Sequence, residues 1–233
     1  MGGVAALTPR DVSGGGRTML EFGLGGGRLR TVLFLGARCD GIEIGCGGTA
    51  LRLIAANSGL EVHWTVFSSE SERALEARRA AELFLEGAGE RHVEILEFRN
   101  SCFSYVVSAI KERFDALKAR VSPDVVFTHY GKDLHQDHNL LPELAWNALR
   151  GHLILEYEIP KGDGGLGSPI VFVNVDAETL TRKIAYQCYG SQRSERWFTA
   201  EPFLGLMRLR GVECNAPHGY AEVHHGRKLC LRP

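Results

Sequence analysis

The sequence predicts a single α/β domain of Rossmann-like architecture, with a mainly parallel sheet and helices on both faces. From residue 31 onward, short apolar runs of strand length alternate with longer amphipathic segments of helical length. This alternation is typical of a parallel sheet with helical crossovers. The chain of 233 residues is also long enough to bury one sizeable core. Residues 1–30 are glycine-rich and are predicted to be a flexible tail, with one short strand near residues 19–22, ahead of a domain over 31–233.

The first half of the chain provides four strands and three helices. "TVLFLGA" (31–37) is an uninterrupted apolar run of strand length, and "TALRLIAAN" (49–57) is a helical segment that Ser58 and Gly59 end. "EVHWTVFSS" (61–69) has the alternation of a strand, and 71–86 is rich in the helix formers Ala, Leu, Glu and Arg. The remaining elements are a strand over 92–98, a helix over 103–120 and a strand over 124–129 introduced by Pro123.

The second half continues the alternation. "HLILEYEI" (152–159) and "PIVFVNV" (169–175) are apolar runs of strand length, separated by a glycine-rich loop over 161–168. Helices are predicted over 177–189 and 200–210, followed by a terminal strand near 228–231. The stretch 31–233 contains no linker and no repeat, which favours a single domain.

The composition excludes several classes of protein. The net charge is -1 with scattered Lys and Arg, so neither nucleic acid nor an anionic membrane is an expected partner. The six cysteines are widely spaced and form no CxxC pair, which indicates reduced thiols. The N-terminus does not resemble a secretory signal, and no apolar run approaches membrane-spanning length. We therefore expect a soluble, cytoplasmic protein; the sequence does not indicate its oligomeric state.

Polar residues concentrate in two loops, each following a predicted strand. One is "GARCDGIEIGCGG" (36–48) and the other is "THYGKDLHQDH" (128–138). The carboxyl ends of parallel strands share one edge of a sheet, so the two loops are expected to meet. His135 and His138 are three residues apart, which places both rings on one side of a helical turn. Asp137 or Asp133 could orient an imidazole, or Asp133 could merely cap the helix beside solvated histidines.

Taken together, the two loops resemble the PIG-L/LmbE family of zinc-dependent N-deacetylases. The family pattern A-H-x-D-D-x-E-x-G-x-G-G corresponds to "ARCDGIEIGCGG", and its H-x-D-H corresponds to "HQDH". The likeness extends over about residues 31–233. It implies a Rossmann-like fold and hydrolysis of the linear amide bond of an N-acetylated amino sugar, such as N-acetylglucosamine, or of a related metabolite.

The resemblance also implies roles for individual residues. Asp40 corresponds to the general base for a zinc-bound water, and His138 corresponds to a zinc ligand. His135 corresponds to the residue that stabilises the oxyanion or protonates the leaving amine, and Asp137 is counted with the catalytic set. Arg73 fits the family's substrate-contacting R-x-x-E motif; the alternative is a solvated helix residue paired with Glu70 or Glu76.

Two of the three zinc-ligand positions are replaced, by Arg38 and Gly41. Catalytic zinc needs three protein ligands and a water, whereas Arg donates no lone pair and repels cations. We therefore predict weak or absent zinc binding. His224 or His225 could supply a replacement ligand, although outward-facing strand histidines are more common. Alternatively, Arg38 pairs with Asp40, or binds a carboxylate or phosphate together with Arg73.

Two functional hypotheses follow. In the first, the protein is an N-deacetylase whose activity the incomplete zinc site impairs. In the second, it is a catalytically inactive homologue that acts as a small-molecule binding protein or as a regulatory protein. A third possibility is that Arg38 and Gly41 are peculiar to this copy of an otherwise active enzyme. The sequence does not identify the substrate.

Overall fold

The computed structural model describes residues 23, 29–186, 189–192, 195 and 197–230. Seven strands form one sheet in the order β3-β2-β1-β4-β5-β7-β6. The strands are β1 (Thr31–Arg38), β2 (Glu61–Ser68), β3 (Glu90–Ile95), β4 (Val125–His129), β5 (Leu153–Tyr157), β6 (Val171–Asn174) and β7 (Ala221–Gly226). The first five strands are parallel, and β7 runs antiparallel to both β5 and β6. The predicted α/β class with a mainly parallel sheet is confirmed.

Six helices cover the sheet within the described residues. They are α1 (Gly41–Ala56), α2 (Ser71–Phe84), α3 (Val107–Arg120), α4 (Gln136–Ala148), α5 (Ala177–Tyr186) and α6 (Ala200–Glu213). Because side chains alternate across a strand, β1 contributes Val32 and Phe34 to one core and Leu33 and Leu35 to the other. The core of Phe34 includes α1 and α2, whereas that of Leu33 includes α3 and α4. Burial on both faces explains the continuous apolar run of β1.

Helix α1 begins at Gly41, eight residues earlier than the predicted helix at Thr49. The glycine-rich turn that suggested a loop is itself helical, with one kink at Cys46 (φ -145°, ψ 20°). A Cβ atom at Gly45 would lie 2.1 Å from Cδ2 of Tyr157. The absence of a side chain at this glycine therefore permits close packing of α1 against the sheet. The helix was not predicted here because glycine has a low helix propensity.

A buried network holds the turn after the kink. Glu222 on β7 accepts hydrogen bonds from the backbone N–H groups of Gly48 (2.8 Å) and Thr49 (2.6 Å). The ammonium of Lys183 on α5 pairs with the same carboxylate and donates to the carbonyl oxygen of Ile44 (2.7 Å). The carboxylate thus caps the second part of α1, and the lysine neutralises it.

The terminal strand was predicted at the wrong place. It is β7, Ala221–Gly226, and residues 228–230 are outside any strand. The sequence "AEVHHG" was overlooked because it carries a carboxylate and two imidazoles, yet Glu222 and His224 are buried by specific partners.

The predicted glycine-rich tail and its short strand lie outside the described residues, apart from Gly23, Leu29 and Arg30. Leu29 is buried in the core, and the Arg30 amide donates to Asp124 (2.8 Å). Within the described part of the chain, no helix combines the length and the hydropathy needed to span a bilayer.

Candidate active site

The two polar loops meet at the carboxyl edge of the sheet, as predicted from the order of the elements. Strand β1, which leads to Arg38, lies beside β4, which ends at His129. The backbone N–H of Ala37 donates to Nε2 of His129 (2.9 Å), and Gly41 packs against the same ring. The adjacency of β1 and β4 therefore brings residues 92 positions apart into one site.

His138 is held by Asp133 and has one free nitrogen. Its Nδ1 lies 2.9 Å from the carboxylate of Asp133, whose other oxygen accepts from the His135 backbone N–H (2.8 Å). His138 is only 2% exposed, and its Nε2 has no hydrogen-bond partner among the described residues. Burial, followed by the charges of Lys161 and His135, holds the pKa of His138 well below its usual value. Asp133 thus orients an imidazole, which is one of the two roles that the sequence left open. The other role, capping of α4, is wrong, because the N-cap of that helix is His135.

His135 is the N-cap of α4. Its Nδ1 accepts a hydrogen bond from the backbone N–H of Asp137 (3.2 Å), and its ring centroid lies 4.5 Å from that of His138. Burial and Lys161 lower the pKa of His135. The two histidines of the H-x-D-H motif therefore share one side of the helix, as their spacing predicted.

Asp137 has contacts of a different kind. It is completely buried, and its two oxygens accept from the backbone N–H groups of Ser101 (2.6 Å) and Phe103 (3.2 Å). The carboxylate at His138 is therefore Asp133 and not Asp137. These hydrogen bonds hold the segment before α3 in place. The catalytic role of Asp137 stays a prediction, and the observed contacts do not support it.

His129 was not singled out from the sequence, although it lies at the centre of the site. Its ring stacks on that of His138 at 4.0 Å and lies 4.8 Å from that of Tyr157. Burial and the neighbouring His138 hold the pKa of His129 well below its usual value, so the ring is neutral. Its Nε2 accepts from Ala37, and the ring proton is therefore on Nδ1.

Asp40 is buried beside Arg73. Nη2 of Arg73 lies 3.3 Å from Oδ2 of Asp40, and the two side chains are 18% and 7% exposed. The partner of Asp40 is thus Arg73, and the suggested Arg38–Asp40 and Arg73–glutamate pairs are not observed among the described residues. Arg38 is half-buried at the end of β1 and forms no ion pair with any described residue.

A third cation, Lys161, enters the site from the glycine-rich loop after β5. Its side chain is 9% exposed, and its nearest carboxylate is that of Asp163 (3.5 Å). Burial and then the charge of Arg38 lower the pKa of Lys161, while Asp40 opposes that shift. Arg38 and Lys161 are therefore both close enough to His138 to lower its pKa, and Arg73 lies beside Asp40.

The two histidines considered as replacement ligands have other partners, and so does the nearby thiol of Cys39. His224 Nε2 binds the hydroxyl of Thr49 (2.9 Å), and His225 stacks on Tyr130 at 3.7 Å. The thiol of Cys39 donates to the Ser68 carbonyl oxygen (3.4 Å), and burial raises its pKa to about 12. None of these three side chains completes a ligand set with His138.

The residues present do not fit a three-ligand zinc site. Potential ligand atoms of His129, Asp133 and His138 lie within 4.8 Å of one another. However, Nε2 of His129 accepts from a backbone amide, and both Asp133 oxygens have hydrogen-bond donors. The free Nε2 of His138 is a suitable ligand atom, and one ligand does not hold a catalytic zinc.

Comparison with known families identifies the family of the chain. The model of the PIG-L family, described as GlcNAc-PI de-N-acetylase, matches residues 33–149, which is just over half of the chain. The chain belongs to the PIG-L family. The match includes both polar loops and the elements between them. No curated protein matches the sequence significantly.

Solved structures show the same PIG-L fold. The conserved protein TT1542 from Thermus thermophilus is 22% identical, with a TM-score of 0.70 over 88% of this chain and 97% of that one. An N,N'-diacetylchitobiose deacetylase from Pyrococcus horikoshii is 18% identical, with a TM-score of 0.64 over 85% and 84%. GalB, a 4-carboxy-2-hydroxymuconate hydratase from Pseudomonas putida KT2440, is 18% identical, with a TM-score of 0.70 over 88% and 99%.

Two site residues were not predicted from the sequence: His129 and Lys161. His129 is at the carboxyl end of β4, and Lys161 is beyond the carboxyl end of β5. Their position after parallel strands could have indicated these residues, because the loops at this edge of the sheet come together. The chain gave no spacing motif to single them out.

Proposed function

We propose that this PIG-L protein binds a small anionic metabolite in the family's active-site pocket, with zinc-dependent N-deacetylation weak or lost. The observation that carries the proposal is the position of Arg38. A guanidinium with no ion-pair partner among the described residues stands at a zinc-ligand position, close enough to His138 and Lys161 to affect the pKa of both. A permanent cation there favours a carboxylate or a phosphate over a metal ion.

Unpaired polar atoms beside Arg38 support a polar ligand. A small pocket is lined by Arg38, Ser69, Arg73 and Asn100, among others. Nε of Arg73, Oγ of Ser69 and Oδ1 of Asn100 are buried without a hydrogen-bond partner among the described residues. Buried polar groups cost free energy when they are unpaired, so donors and acceptors gathered at one pocket favour a ligand that pairs with them.

Titration calorimetry on metal-free protein tests the proposal. The probes are inorganic phosphate, N-acetylglucosamine and N-acetylglucosamine 6-phosphate. We expect the phosphorylated sugar to bind at least tenfold more tightly than the neutral sugar, and Arg38→Gln to remove that preference. Arg78→Gln, on the exposed face of α2, is the matched control and should bind like the parent. If the parent binds neither phosphate probe, or if Arg38→Gln binds them equally well, the proposal is wrong.

A residual N-deacetylase is the second candidate, because the arrangement of Asp133, His138 and His135 is intact. The deacetylases among the structural relatives are consistent with it, but GalB is a hydratase with the same fold, and fold alone does not identify a reaction. Acetate release from N-acetyl amino sugars, measured with added zinc, distinguishes the candidates. Release that His138→Ala abolishes would favour the enzyme over the binding protein.

A further inference from the structure

A second cluster of metal-binding side chains lies far from the active site, on strands β2 and β3. Glu61 and His63 are two residues apart on β2, and His92 is the register partner of His63 on β3. Their potential ligand atoms all lie within 4.8 Å of one another. Ser68, at the end of β2 near the active site, is five residues beyond His63, which corresponds to about 17 Å along a strand.

Both histidines approach the same carboxylate oxygen of Glu61. Nε2 of His63 lies 2.9 Å from Oε1 of Glu61, and Nε2 of His92 lies 3.4 Å from the same oxygen. Ligand atoms bound to one tetrahedral zinc at about 2.0–2.1 Å are about 3.3 Å apart. The observed separations are close to this value. The two rings are nearly parallel (15°), so one ring, such as the half-exposed His92, must turn before both nitrogen lone pairs point at the same ion.

The cluster is held in place by its neighbours. The two rings stack with centroids 4.3 Å apart, and the hydroxyl of Thr31 donates to Oε2 of Glu61 (3.0 Å). This hydrogen bond leaves Oε1 to face the histidines and fixes the carboxylate, as a supporting residue does in metal sites. The side chains of His63 and His92 are 14% and 48% exposed, so an ion can reach the site from solvent.

The surrounding charges favour a cation. Arg120 of α3 lies in the same hollow, but its guanidinium pairs with Glu94 (3.2 Å). Glu90 lies 3.6 Å from His92 and adds a further carboxylate.

We propose that Glu61, His63 and His92 form a binding site for a divalent transition-metal ion of the zinc type, separate from the PIG-L active site. Two imidazoles and one carboxylate suit Zn²⁺ better than the hard ions Mg²⁺ or Ca²⁺. Three protein ligands at a solvent-accessible edge leave a further coordination position for water. Edge strand β3 is thereby joined to β2 by a metal in addition to backbone hydrogen bonds.

The test is titration of chelator-treated protein with Zn²⁺, carried out in a His138→Ala background so that the active-site histidine does not contribute. We expect one zinc per chain. His92→Ala and His63→Ala should each weaken binding at least tenfold, and His218→Ala, an exposed histidine elsewhere, should leave it unchanged. Mg²⁺ should not compete. Circular dichroism of each metal-free variant verifies folding, and His92 is the safer substitution because it is half-exposed.

A second readout is thermal stability. An ion that binds only the folded state raises the melting temperature, and the rise should disappear in His63→Ala/His92→Ala. The proposal is overturned if zinc binding is absent, or if its stoichiometry and affinity persist in the folded double variant.

Discussion

Nη2 of Arg73 lies 3.3 Å from Oδ2 of Asp40, in a pair that is largely buried. The resemblance to the PIG-L motif predicts that Asp40 is at the position of the general base, and the charge of Asp40 is compensated by a cation. We propose that this pair, together with Arg38 at a predicted ligand position, makes the pocket an anion site. The following predictions test that interpretation and the buried networks around it.

Restoring the motif should restore zinc. We expect Arg38→His with Gly41→Asp to bind zinc and release acetate from N-acetyl amino sugars well above the parent, and each single change to do much less, because two ligands hold zinc poorly. The structure adds a steric cost. A Cβ atom at Gly41 would lie 2.9 Å from Cε1 of His129, so the ring must shift, and overpacking of this kind costs about 1–3 kcal/mol.

The matched control is Arg38→His with Gly41→Asn, which has the same bulk at residue 41 without the carboxylate. Both variants should melt below the parent, and only the Asp variant should bind zinc. Metal analysis and calorimetry measure this directly. A folded Arg38→His/Gly41→Asp protein without zinc would show that the pocket has changed beyond its two ligands.

The parent should keep little zinc at the active site. After dialysis against chelator, with His63→Ala/His92→Ala to remove the proposed surface site, we expect well under one zinc per chain. His224→Ala and His225→Ala should not alter this content, because those rings contact Thr49 and Tyr130. Stoichiometric zinc that is lost in His138→Ala would contradict the prediction.

The Arg73–Asp40 pair should control anion affinity. We expect Asp40→Asn to bind inorganic phosphate several-fold more tightly, because Asp40 no longer competes for the guanidinium, and Arg73→Gln to bind it about tenfold less tightly. Affinity should fall as salt concentration rises. Calorimetry at two ionic strengths measures both effects, with Arg78→Gln as the control; equal affinities for all four proteins would count against an anion site.

Burial of His224 should make stability depend on pH. Burial lowers its pKa from 6.5 to about 4, so between these values the unfolded chain binds a proton that the folded chain does not. The unfolding free energy therefore falls as pH decreases from 6.5 to 4, by at most about 1.4 kcal/mol per pH unit for this residue. His129 and His138 act in the same direction.

His224→Gln should remove the contribution of one proton, at most about 1.4 kcal/mol per pH unit, from the slope of unfolding free energy against pH. The contributions of His129 and His138 should remain. Denaturant unfolding at pH 4.5, 5.5 and 6.5 provides the measurement, and exposed His218→Gln should keep the parental slope. An unchanged slope in His224→Gln would show that this ring does not titrate between the two states as proposed.

The network under α1 should depend on charge neutralisation. Lys183→Met leaves the Glu222 carboxylate buried beside Gly48 and Thr49 without its cation, and we expect a loss of about 3–5 kcal/mol in unfolding free energy. Lys183→Met combined with Glu222→Gln should recover part of that loss, since Gln can still accept from an amide. A single variant as stable as the parent would exclude this role for Lys183.

The sequence by itself determined the class of fold, the edge of the sheet that carries the site, and the family. Apolar runs determined β1 and β4, since strands buried on both faces must be apolar throughout. The alternation of apolar and polar residues determined β2. The family motifs located Asp40, His135 and His138, because short polar motifs after strands converge at one edge.

Only the tertiary structure decided which partners these residues have. It paired Asp40 with Arg73 and His138 with Asp133. It also placed Lys161 near Arg38 and His138, and His224 beside Thr49. The structure also shows that the terminal strand lies at residues 221–226 and not near 228–231, and that Glu222 and His224 are buried in it. Hydrogen bonds and ion pairs form between side chains that are distant in the sequence and that the chain topology brings together. A local sequence pattern therefore does not predict which of several carboxylates or cations will be nearest.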